Sequence, residues 1–249
     1  MKYFLTLAAA LVLLLSAGAS ACPLLYDVWA YEHDVPGQTW LGQISAYTGT
    51  ESHVDNYNYY SASGHPINGP TPTAYTTNFW LYYNTNSQTL SFNLIHNVDN
   101  GGGNYWNIVQ TDLYFLGMDY GVLLQDDSPE NQGQGGFQDQ GGGYMWADFA
   151  YDRNTDGGVI GIEPYSCCDW GIGIDPLFVG DITDIRFASG DGGFLTGWNS
   201  NPTYCPPPGY TGPAFMITPH CGEIPEPGTL LLLGMGLLTA GGLIRLRRK

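Results

Sequence analysis

Positive charge is scarce in this 249-residue chain, which has 7 Lys and Arg against 23 Asp and Glu and a formal charge of −16. Lys2 stands at one end and Arg245, Arg247, Arg248 and Lys249 at the other, so only Arg153 and Arg186 lie between. Residues 22–224 therefore hold 2 cations against 22 acids. Such a body repels phosphate backbones and anionic lipid heads, which excludes nucleic-acid binding and phosphate clamping. Catalytic signatures are missing as well. There is no Gly-x-Ser-x-Gly, His-Glu-x-x-His or Walker loop, and His33, His53, His65, His96 and His220 stand apart as surface or turn residues. Glycoside cleavage needs only two facing carboxylates, but which acids face each other is not legible from spacing. The expectation is a protein that is not an enzyme. No Cys-x-x-Cys supports a zinc site, and no repeat at solenoid or propeller period occurs.

Both ends are long apolar runs. Lys2, the uncharged stretch from Phe4 to Leu15 and the small residues Ala19-Ser20-Ala21 have the layout of a secretory signal peptide over 1–21. Cleavage after Ala21 leaves Cys22 first, which raises lipoprotein processing as a second route, although Ala19 replaces the usual Leu. At the other end, Gly228 to Ile244 is 17 residues without a charge, the lower limit for a membrane-spanning helix, and a basic cluster follows at once. Those cations stay cytoplasmic, so the body lies outside.

Immediately before this run stands Ile224-Pro225-Glu226-Pro227-Gly228. Pro-Glu-Pro, an apolar Gly/Leu-rich run and a terminal Arg cluster, in that order over 224–249, resemble the PEP-CTERM sorting signal of exported proteins in Gram-negative bacteria that make exopolysaccharide. The resemblance implies processing by an exosortase, with Pro225, Glu226 and Pro227 as recognition residues in a substrate. It also implies a membrane-anchored precursor delivered to the cell surface or extracellular matrix, in a biofilm setting. A permanent single-span anchor is the plain alternative.

The body alternates apolar and polar residues in short stretches. Phe79, Leu81 and Tyr83, then Leu90, Phe92 and Leu94, predict a hairpin across Asn84-Thr85-Asn86-Ser87. Thr183, Ile185 and Phe187 predict a half-buried strand. Further strands are predicted at Tyr26–Tyr31, Thr39–Tyr47, Tyr105–Leu116, Tyr120–Gln125, Tyr144–Tyr151, Val159–Glu163 and Trp170–Ile174. Around ten strands with Gly/Asn/Asp turns predict an all-β antiparallel sandwich or jelly roll over 22–204. Gly101–Gly103 and Asn131–Gly143 read as loops, and the Cys/Pro-rich 205–223 as a stalk or loop before the signal at 224–249.

Five cysteines in the exported part suit an oxidising compartment. Cys205 and Cys221 are the disulfide candidates, while adjacent Cys167 and Cys168 each call for a distant partner. One motif carries ligand chemistry. Asp152, Asn154, Asp156, Gly157 and Glu163 satisfy the calcium-loop pattern, with Gly158 offering a carbonyl. Against it, Ala147–Tyr151 and Val159–Glu163 read equally as a hairpin turning at 154–158, and Pro164 blocks an exit helix. Asp126, Asp127 and Glu130 form a second acidic group of uninformative spacing.

The aromatic content points to a further class. Tyr57, Tyr59, Tyr60 and the Trp residues offer stacking surfaces for sugar rings, so a carbohydrate-binding module is the alternative to an inert matrix component. If Trp80, Trp106, Trp146 and Trp170 instead fill the core, that alternative loses its platform. Exposure decides.

Overall fold

The computed structural model describes residues 24–31, 38–57, 69–96, 107–126, 136–151, 156–199 and 213–221. The chain is all-β and largely antiparallel, as the alternation predicts. Fourteen strands are described: β1 (Leu25–Tyr31), β2 (Gln38–Ser45), β3 (Tyr47–Gly49), β4 (Thr76–Asn84), β5 (Thr89–His96), β6 (Asn107–Leu116), β7 (Met118–Gln125), β8 (Gly136–Gly141), β9 (Tyr144–Tyr151), β10 (Asp156–Pro164), β11 (Gly171–Phe178), β12 (Asp184–Ala188), β13 (Phe194–Asn199) and β14 (Phe215–Pro219). One short helix, α1 (His53–Tyr57), follows β3.

The strands form two sheets. Sheet A runs β2-β1-β14-β11-β6-β9-β8, and sheet B runs β13-β12-β4-β5-β10-β7 with β3 beside β4. Their facing sides close on one core because each strand sends alternate side chains inward. Val109, Leu113 and Phe115 of β6 meet Phe79 and Leu81 of β4, Phe92 and Leu94 of β5, and Ile160 and Ile162 of β10 in that cluster. Phe79 sits between Phe92 and Phe187, with ring centroids at 5.7 and 5.8 Å.

Sheet changes happen abruptly. Between β6 and β7 a single residue, Gly117, carries the chain from A to B with φ +69°, and a Cβ there would strike the Asp169 carbonyl oxygen. Only glycine meets both conditions.

Several expectations change. Residues 215–219, expected in a stalk, form β14 between β1 and β11, so the sandwich extends past 204. Alternation in Phe215-Met-Ile217-Thr-Pro219 is buried-half-buried throughout, a strand signal hidden by the prolines on both sides. The latter part of the expected loop Asn131–Gly143 forms β8. The hairpin expected from 147–151 and 159–163 does not exist, because β9 belongs to sheet A and β10 to sheet B. Cys221 bonds to Cys168 rather than to Cys205. Cys167 is also disulfide-bonded. Cys205 lies outside the described residues, as do the signal peptide and residues 224–249.

Candidate functional site

The two outer faces of the sandwich are finished differently. On sheet B, α1 lies over β4, β5 and β10 and creates a second small core. Tyr57 stacks on Trp80 at 6.2 Å and 6°, with Tyr47, Tyr82, Ile95 and Val159 around them. His53 bridges Ser91 Oγ and Thr89 Oγ1 at 2.9 and 2.8 Å, and burial holds its pKa below the usual value.

Beside α1 lies a cavity of about 420 Å³ whose lining includes His53, Leu123, Asp119, Glu163 and the cross-strand pair Gly121 and Gly161. Asp119 and Glu163 face each other across β7 and β10, and Tyr165 donates to Asp119 Oδ1 at 2.7 Å. The cavity offers a glycine floor, an apolar wall and two carboxylates.

Sheet A keeps its outer face for aromatics and acids. Strand register alone places Trp40, Trp29, Met216, Gly173, Tyr114 and Tyr144 in one row across β2, β1, β14, β11, β6 and β9. Five strand spacings make this row roughly 24 Å long. Tyr114 and Tyr144 stack at 5.1 Å, and Pro213 packs where a side chain on Gly173 would stand. The neighbouring row is Asp175, Asp112, Trp146 and Gln138, from β11 to β8. Trp40 is 54% exposed and Trp146 40%, whereas Trp80 and Trp170 are buried. These four Trp residues thus divide between platform and core; Trp106 lies outside the described residues, as do Tyr59 and Tyr60.

Polar tips on this face are tied together. Trp146 Nε1 donates to the Tyr144 hydroxyl and that hydroxyl to Asp112 Oδ2, both at 2.7 Å. At the other end, Asp27 Oδ1 accepts from Trp40 Nε1 at 3.0 Å and Gln43 Nε2 at 3.1 Å, while Oδ2 meets His220 Nδ1 at 2.8 Å. Partial burial works against the Asp27 anion, but the bonds from His220, Gln43 and Trp40 outweigh it and lower its pKa.

The central acids lack such relief. Burial, then the charge of Asp112, pushes the Asp175 carboxyl up to about 6. The same two causes raise Asp148, and burial raises Asp112 against the lowering bond from Tyr144. These residues escape a reading for motifs, since none has motif spacing. Their signal is the polar half of the alternation in Asp112-Leu-Tyr114 and Tyr144-Met-Trp146-Ala-Asp148.

Asp156 and Glu163 of the calcium-loop pattern do not converge. Asp156, Gly158 and Glu163 all belong to β10, paired on both sides with β5 and β7. At about 3.3 Å per residue, Glu163 stands on the order of 20 Å from Asp156 and cannot close a sphere around the same ion. Asp156 Oδ1 instead accepts from the Gly157 amide at 2.8 Å. Asp152 and Asn154 lie outside the described residues, as do Asp127 and Glu130. Among the described residues, no three His, Cys, Asp or Glu are grouped to hold a metal. His96 is no surface residue either: it is fully buried and bonded to Thr77 Oγ1 at 2.8 Å.

Residues 223–249 match the family model of the PEP-CTERM protein-sorting motif. The chain therefore carries the signal of an exosortase substrate, and the motif implies an exported, membrane-anchored precursor. No curated protein and no solved structure matches the chain.

Proposed function

We propose that this is an exported, exosortase-processed protein of the cell surface or extracellular matrix that holds exopolysaccharide without turning it over. Signal peptidase removes 1–21, and exosortase reads Pro225, Glu226 and Pro227. The β-sandwich remains outside as the working part. The observation that carries the reading is the division of tryptophans: Trp80 and Trp170 serve the core, while Trp40 and Trp146 stand on one sheet face among Tyr114, Tyr144, Asp27 and Asp112. Flat rings flanked by carboxylates and amides suit sugars, whose rings present apolar C–H faces and hydroxyl edges. Sheet B has given its central aromatics to a second core, and among the described residues it shows no comparable row of rings.

The test exposes the exported chain, as purified from producing cells, to an oligosaccharide array and assays the same mixtures for new reducing ends. Retention of glycans without product supports the reading. Accumulating product contradicts the non-enzymatic part, and absence of retention contradicts the glycan part.

A further inference from the structure

The face just described has a chemical polarity that narrows its ligand. Asp175 and Asp112 stand opposite each other on neighbouring strands, their α-carbons about 5 Å apart. Asp148 follows on β9, opposite Gln110, and is itself coupled to Asp112. Asp112 has a partner in Tyr144, but Asp175 Oδ1 has no hydrogen-bond partner although the residue is only 7% exposed. A buried acceptor left unmade is costly, and a second carboxylate beside it adds repulsion. Among the described residues no Lys or Arg stands beside them in return. Arg186 is the only Lys or Arg among the described residues, and it lies on β12 of sheet B, bonded to Asp184 and seated 4.4 Å over Phe194.

Two features choose between ligands. A neutral hydroxyl would satisfy one oxygen and leave the repulsion untouched, whereas a cation relieves both. A divalent metal demands six or more oxygens, and the described residues hold no three-ligand group. A primary ammonium is compact and has three donors, which suits two neighbouring carboxylates that are only 7% and 8% exposed. Next to this pair, the stacked Tyr114 and Tyr144 and the exposed Trp146 provide ring faces.

We infer that this face takes an amine-bearing polysaccharide, one ammonium seated between Asp175 and Asp112 and adjacent sugar rings lying on Tyr114, Tyr144 and Trp146. This rests on the glycan-holding reading above and adds the charge class of the glycan. The polymer is one whose hexosamines carry free amino groups.

The experiment is calorimetric titration of the full chain at neutral pH with a glucosamine oligomer and with its fully N-acetylated counterpart of equal length. The glucosamine oligomer binds about tenfold or more tightly, the factor that a charge-assisted hydrogen bond supplies. Asp175→Asn abolishes that preference, lowering the affinity for the glucosamine oligomer to about that for the acetylated one. Asp119→Asn, on sheet B, keeps the preference. Thermal melting confirms that both variants fold. Equal affinity for the two oligomers, or a preference that survives Asp175→Asn, overturns the inference while the glycan-holding reading stands. A preference lost equally in Asp119→Asn shows diffuse attraction to an acidic body and also overturns it. Binding of neither oligomer overturns the inference, and whether the array retains another glycan decides the broader reading separately.

Discussion

Asp175 of β11 lies in register with Asp112 of β6, two buried carboxylates side by side in the middle of an outer sheet face. Folding brings them together against their mutual repulsion. The raised Asp175 value, about 6, gives the sign of the consequence. An acid that holds its proton more tightly in the folded chain contributes stability below its unfolded pKa of about 4, lost as pH rises through the folded value. Asp175→Asn removes that loss. The variant melts higher than wild type at pH 8, and the difference vanishes by about pH 4. A melting series across that range checks it; a variant less stable at pH 8 contradicts the assignment.

His96 acts in the opposite sense. Burial lowers its pKa to about 3, so the stability it secures as a neutral ring is present above about 6.5 and is lost as pH falls toward 3. Protonation of His96 should therefore lower wild-type stability as pH falls from about 6 to about 4. In His96→Gln the slope of stability with pH over that window diminishes or reverses, since the Asp175 contribution then stands against a smaller opposing term. Denaturant titrations at several pH values measure it.

The bond between Cys168 and Cys221 closes a separation of 53 residues and ties the end of sheet A to the loop after β10. Loop-closure entropy assigns such a link about 4 kcal/mol. Cys221→Ser should lower stability by an amount of that order. Cys205→Ser should leave the Cys168–Cys221 bond intact by peptide mapping, which separates this pairing from the one that spacing suggests.

Because Glu163 and Asp156 occupy distant positions on one strand, no calcium site uses both. Glu163→Gln therefore leaves the melting temperature difference between calcium and chelator unchanged from wild type. A difference present in wild type and abolished by this substitution would restore the loop.

What the sequence discloses follows physical range. Period-2 alternation is local, so ten predicted stretches, among them Tyr26–Tyr31 and Tyr144–Tyr151, coincide with strands within a few residues. Phe215–Pro219 was hidden because its neighbours are proline-rich, and its place between β1 and β11 depends on partners nearly 200 and 40 residues away in sequence. The calcium motif misleads for the same reason: its spacing describes a loop, but Gly157 and Gly158 pair with Ile95, Leu94 and Gln125 and draw the chain straight. The platform was invisible in outline because register, which sets Trp40 beside Trp29 and Asp175 beside Asp112, is a property of pairing between strands. The sorting signal, in contrast, is a linear message and is legible whole.

The central claim is that sheet A's outer face holds polysaccharide outside the cell. It is tested most directly by co-sedimentation of the exported chain with exopolysaccharide from the producing cells, comparing wild type with Trp40→Ala, Trp146→Ala and the double variant. Both side chains are exposed, so the variants should retain near-wild-type melting. The account predicts that wild type sediments with the polymer, each single variant less, and the double variant stays in solution. Folded double variant sedimenting as fully as wild type would contradict it.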